Sequence, residues 1–233
     1  MGKEYNSDLH AGQRLVGRSN VQNPNPQNLS LEHLGLGKCL LGAPMPESEA
    51  RVLDPDWMPD VPFNDPPVSA AVLIALVRRA HGYGVVFTQR SSGLRAHSGQ
   101  IAFPGGKLDA GDPGPGAGAL REAHEEIALV QENARILGYL PAYVTGTNYL
   151  ITPVVAEVFG DPVFTPNPLE VDEIFEVPLG FLLDKGNYSH LKLERNGHKF
   201  QTWQLIFKSH TIWGITANLA RKFADMTLSG QRE

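Results

Sequence analysis

The sequence predicts an α/β domain with a mixed sheet covered by helices, and three observations predict it. Residues 70–77 (Ala-Ala-Val-Leu-Ile-Ala-Leu-Val) form an unbroken apolar run, as expected of a strand buried on both faces. Other strand-like runs are mixed with two segments of helical apolar spacing: Leu120, Ala123 and Ile127, then Ile215, Leu219 and Phe223. Apolar residues make up 42% of the 233 and charged residues 19%, enough to build a core and too few charges for global disorder.

The elements follow in order. Residues 1–28 are polar and contain Gln-Asn-Pro-Asn-Pro-Gln-Asn, which predicts a mobile arm. Residues 29–67 read as an irregular extension. Leu31, Leu34, Leu40 and Leu41 permit a short helix that Gly35 and Gly37 limit, and residues 44–67 are rich in proline. The ordered domain is expected over 68–233. Within it, the central strand at 70–77 pairs as a hairpin with Val85–Thr88 across His81–Gly84. Ile101–Phe103 is a third strand, followed by a glycine loop at 104–106 and a helix over about 119–129. The run Pro113–Gly118 is expected to delay helix entry and leave a flexible loop. Strands follow at 137–143, 149–158 and 172–177, then a helical turn near 181–183, a strand at 201–207 and a closing helix over 215–226.

Composition narrows the function. Net charge is −5 and no basic stripe is visible, which argues against a nucleic-acid partner. No stretch is apolar over the ~18 residues of a membrane span. The single cysteine, Cys39, rules out an intramolecular disulfide and reads as a small core residue; a cytoplasmic location is expected. The partner expected is a small molecule, with a homodimer left open.

The chemistry concentrates in Arg121-Glu122-Ala123-His124-Glu125-Glu126. On a helix, Glu122, Glu125 and Glu126 are spaced i, i+3 and i+4 and share one face, while Leu120, Ala123 and Ile127 share another. Three glutamates alone read as a solvated acidic face. Gly105-Gly106 just before them changes the reading, because a backbone without side chains approaches a ligand closely and offers a carbonyl. Hard cations such as Mg²⁺ or Mn²⁺ favour such oxygen ligands and relieve the repulsion between carboxylates.

Gly106, Arg121, Glu122, Glu125, Glu126 and Leu129 fall on the named positions of the Nudix box, which residues 106–129 resemble. Asp112 stands where the box has its first Glu, one extra residue lies between Asp112 and Arg121, and Ala128 replaces a glycine. The stretch from Thr88 through Arg90, Arg95, His97 and Gln100 to Gly106 resembles the signature of the coenzyme A pyrophosphatase branch, where the Asp and the extra residue are also familiar. The likeness covers about residues 68–226.

The resemblance implies a Nudix-like α/β/α sandwich with a mixed β-sheet. It implies Mg²⁺ or Mn²⁺ held by Glu122, Glu125, Glu126 and the Gly105 carbonyl, with Arg121 orienting a glutamate through a bidentate ion pair. The base is expected to be Glu122, Glu170 or Glu173. Arg90, Arg95, His97 and Gln100 are the expected substrate contacts, the arginines facing phosphates. His124 is expected to be a bystander, and Trp203 and Trp213 core residues. The implied reaction is hydrolysis of coenzyme A or a derivative to 3′,5′-ADP and 4′-phosphopantetheine or its acyl form. Two alternatives stand beside it: a Nudix pyrophosphatase for ADP-ribose, NADH or another nucleoside diphosphate derivative, and a Nudix domain that binds a nucleotide without cutting it. If the backbone at position 128 needs positive φ, Ala128 costs about 1 kcal/mol or more.

Overall fold

The computed structural model describes residues 31, 35–53, 63–93, 97–195 and 198–230. The expected arm at 1–28 lies outside them. The chain runs through a short helix α1 (Leu36–Cys39), then strands β1 (Arg51–Val52), β2 (Val68–Arg79), β3 (Gly82–Arg90), β4 (Ile101–Ala102) and β5 (Gly105–Lys107). Helix α2 (Pro115–Ile127) follows, then β6 (Ala134–Tyr139), β7 (Tyr143–Val144), β8 (Tyr149–Val158) and β9 (Val171–Pro178). The rest is α3 (Leu179–Leu183), β10 (Tyr188–Arg195), β11 (His198–Phe207), β12 (His210–Trp213) and α4 (Ile215–Ser229).

β2 is the centre of the main sheet. It pairs in parallel with β8 along one edge and antiparallel with β5 and β3 along the other, so the sheet is mixed. β9 pairs with the far edge of β3, and β6 and β7 pair with β8. Alternation along β2 explains its unbroken apolar run. Ala71, Leu73, Ala75 and Val77 join the core under α2 with Ala119, Ala123 and Ile127. Ala70, Ile74 and Leu76 join the opposite core with Leu219 and Phe223 of α4. A period of two fills both faces. The result is an α/β/α sandwich with α2 on one side and α3 and α4 on the other.

Several boundaries differ from the sequence reading. The hairpin turns on Ala80 and His81 alone, and Gly82 already pairs with Arg79. The expected glycine loop is a strand: Gly105 and Gly106 pair with Val72 and Ala71. Gly105 has φ +154, and a Cβ there would strike the Ala71 carbonyl and lie 2.7 Å from Val72 Cα. The run from Pro113 to Gly118 does not delay the helix, because Pro115 is preset for the first helical position. Gly116 and Gly118 instead make room for Ile136, Tyr139 and Leu108. The expected strand at 137–143 is split into β6 and β7. β10 and β12, unforeseen, form a three-stranded antiparallel sheet with β11. In the extension, Leu36, Leu40 and Leu53 are buried in the core that holds α4, and β1 pairs in parallel with β7.

Candidate active site

α2 carries the acidic face onto β5. Glu126 is only 3% exposed; its Oε2 accepts a hydrogen bond from the Gly105 N–H at 3.1 Å, and its Oε1 lies 3.7 Å from Arg90 Nη1. Burial, above all, pushes its carboxyl up to about 7, with Glu122 and Glu170 adding repulsion against the pull of Gly105 and Arg90. Burial also raises Glu122, opposed by Arg121, with Glu125 and Glu170 pushing the same way as burial. Gly106 makes the space Glu122 occupies, since a Cβ there would sit 2.5 Å from its carboxyl carbon. Glu125, half exposed, stands at the solvent side.

Arg121 ties this face together. Its Nε and Nη2 reach the two Asp112 oxygens at 3.1 and 3.0 Å, its Nη1 reaches Glu122 at 3.0 Å and Glu125 at 3.1 Å, and Nη2 also donates to the Lys107 carbonyl. The bidentate partner is therefore Asp112 and not a helix glutamate: the extra loop residue lets Asp112 fold back under the fork. Arg121 in turn holds the Asp112 carboxyl below its usual range.

Glu170 arrives from a turn clamped to the end of α2. The Asn167 N–H donates to the Glu126 carbonyl at 2.9 Å, and Asn167 Nδ2 reaches Glu170 Oε1 at 3.4 Å. Glu170 thus comes close enough to act electrically on both Glu122 and Glu126. Glu173 does not join them. It lies on the same face of β9 as Phe175 and Val177, opposite α2, and its carboxylate faces His210 Nε2 at 3.1 Å while that ring stacks on Phe175 at 3.8 Å. The start of β9 decides it: Glu170 lies in the turn before the strand, and within β9 Glu173 alternates onto the face of Phe175 and Val177.

His97 Nδ1 and Gln100 Oε1 are 2.9 Å apart, and both residues line a cavity at the start of α4. Two backbone hydrogen bonds tie this segment to Arg90, from Arg90 N to the Gln100 carbonyl and from Gly99 N to the Arg90 carbonyl. Arg95 lies outside the described residues. Trp213, read as core from sequence, is half-buried and lines the cavity, as does Ile215. Ile215 was legible only in the helical spacing of α4; its place on the cavity, like the positions of Trp213 and Asn167, depends on tertiary contacts. His124 is exposed, with Nδ1 2.9 Å from the Leu129 carbonyl, and stays apart from the glutamates. Trp203 stacks on His190 and under Arg221. Cys39 packs against the core with its thiol toward the Leu36 carbonyl.

The donors suit a hard divalent cation in kind: carboxylates that repel one another, with a cradle at Gly106. Among the described residues, no three acidic, histidine or cysteine groups converge on one point. Arg121 and Arg90 hold the carboxylates instead, so a cation would take the place of those arginine contacts.

The profile of the NUDIX domain family matches residues 67–195. The uncharacterized Nudix hydrolase NudL of Enterobacter sp. (strain 638) is 41% identical over 155 residues, which are 66% of this chain and 80% of that protein. NudL of Escherichia coli (strain K12) gives the same identity and coverage. Among solved structures, the Nudix hydrolase RenU of M. smegmatis overlays with a TM-score of 0.49 at 18% identity, over 71% of this chain and 88% of that one.

Proposed function

The chain belongs to the Nudix hydrolase family, and on that premise we propose that it hydrolyses the pyrophosphate bond of coenzyme A or a CoA derivative. The observation that carries the reading is the course of residues 88–106. This single stretch bears the CoA-branch signature. It sets Arg90 and the Gly105 N–H against Glu126, and His97 and Gln100 on a cavity.

Glu122, Glu125 and Glu126, with the Gly105 carbonyl, would hold Mg²⁺ or Mn²⁺. Such an ion, when bound, neutralises pyrophosphate oxygens and acidifies water. Among the described residues Glu170 stands outside the arginine pairs, and it takes the proton from the attacking water. The water oxygen bonds to phosphorus, the bridging P–O bond breaks, and the products are 3′,5′-ADP and 4′-phosphopantetheine. Arg121 keeps Glu122 and Glu125 aligned through its four-way grip. Arg90, once released from Glu126, turns its guanidinium to a substrate phosphate, a geometry that suits its planar fork.

The test is incubation of purified protein with Mg²⁺ or Mn²⁺ and CoA, followed by chromatography for adenosine 3′,5′-bisphosphate. Its appearance only with metal is the expected result. Cleavage of ADP-ribose or NADH with CoA left intact would overturn the substrate; no cleavage of any of them would favour a domain that only binds nucleotides.

A further inference from the structure

Resting on the CoA reading, we infer that the cavity beside His97 and Gln100 receives the thiol or short-acyl end of the pantetheine arm. The lining chemistry selects that occupant. Leu53, Ile101, Trp213 and Ile215 supply apolar wall, and the described lining includes no Asp, Glu, Lys or Arg. Among the described residues, a phosphate end would therefore find no countercharge there.

The threonine and asparagine side chains inside already have partners within the protein. Thr216 Oγ1 donates to the Ile101 carbonyl at 3.0 Å, Asn218 Nδ2 to Thr202 Oγ1 at 2.9 Å, and Thr145 and Thr147 hydroxyls pair at 3.0 Å. Here His97 and Gln100, exposed and half-buried, present the polar edges. Apolar walls behind two polar side chains match an arm that carries amides along its length and a thiol or thioester at its end.

Reach agrees. Ile101 lines the cavity and Gly105 touches Glu126, so they are four residue steps apart, at most about 14 Å of extended chain. The pantetheine arm from phosphate to sulfur is roughly a dozen bonds, the length of about four extended residues. A substrate with its diphosphate at the carboxylates can therefore place its sulfur in the cavity.

The experiment uses the full chain and S-butyryl-pantetheine, which carries no phosphate and cannot be hydrolysed at one. Saturation-transfer NMR should show its acyl protons contacting the wild type. Ile215→Trp, which fills the cavity, should lose that signal at least tenfold, and Ile215→Val should keep it. Thr147→Trp, on an exposed position of the cavity loop, repeats the block without altering the core. Absence of signal in the wild type, or signal undiminished from wild type in both Trp variants, would overturn the assignment. CoA hydrolysis is measured in parallel. Cleavage without butyryl-pantetheine binding sinks the cavity alone, and cavity-dependent binding without cleavage sinks the CoA pyrophosphatase reading alone.

Discussion

Arg90 and Glu126 face each other at 3.7 Å, and among the described residues the Arg90 Nε beside this contact is buried without a hydrogen-bond partner. A guanidinium held this way competes with a divalent cation for the same carboxylate. Arg90→Gln should therefore bind Mn²⁺ about 2–5-fold more tightly at pH 8, the worth of a partly screened ion pair. Calorimetry without substrate measures it; weaker binding would show that Arg90 supports the metal site and does not oppose it.

Glu126→Gln separates stability from chemistry. The buried carboxylate is costly to ionise and is repelled by two neighbours, so the neutral amide should leave the metal-free chain at least as stable. Turnover should fall by roughly 100-fold or more, as expected when a metal-holding group is lost. A destabilised chain with near-normal turnover would contradict both expectations.

Gly105 and Gly106, adjacent in sequence, should fail differently. An added methyl at Gly105 meets backbone of β2 and should cost about 2–4 kcal/mol in urea unfolding. At Gly106 the methyl first meets the far end of a side chain, the Glu122 carboxylate, and not backbone. Gly106→Ala should keep most of its stability while turnover drops. Equal loss of stability in both variants would refute the distinction.

Ala128 ends α2 with φ 54 and ψ 34, a left-handed conformation. A Cβ is strained there, and Gly relieves the strain at some cost in unfolded-chain entropy. Ala128→Gly should raise stability by about 0.5–1 kcal/mol, or about 1–4 °C in Tm for a chain of this size, without changing KM. A lower Tm would show that Ala128 is accommodated.

Asp112 gives the acid limb of stability. Its folded carboxyl titrates below the ordinary value because Arg121 holds it, with the Asp109 N–H next. The folded state then binds fewer protons than the unfolded chain. The stabilisation is present above the ordinary carboxylate value of about 3.9 and fades as pH falls through the depressed one. Wild-type Tm should drop more steeply than that of Asp112→Asn between about pH 5 and 3. Parallel curves would remove Asp112 as the cause.

The sequence made the repetitive parts of this fold legible. The two-sided run of β2, the spacing of α4 and the i, i+3, i+4 glutamates are local patterns, and each is found where it was expected. Other features depend on what lies across space. Pro115, Gly116 and Gly118 read as a helix breaker, yet the glycines fit against Tyr139, Ile136 and Leu108 once the helix docks. β10 and β12 lack a strong apolar run because, beyond Tyr188 and Ile212, which join the main core, their described residues stay at least partly exposed. Glu170 and Glu173 were indistinguishable as nearby acids; only the start of β9 at Val171 fixes which face Glu173 takes. The partners of Arg121 were foreseen in kind, but the closure of the loop onto Asp112 was not.

β2 is enclosed on both faces and hydrogen-bonded along both edges. The amides in its buried middle, Leu73–Val77, should exchange with solvent only when the whole protein opens. The solvent side of α2, and the Asn167–Glu170 turn clamped to its end, lie outside that strand. Local breathing can therefore admit substrate and release product at the rim, while the platform that sets the positions of the carboxylates remains closed.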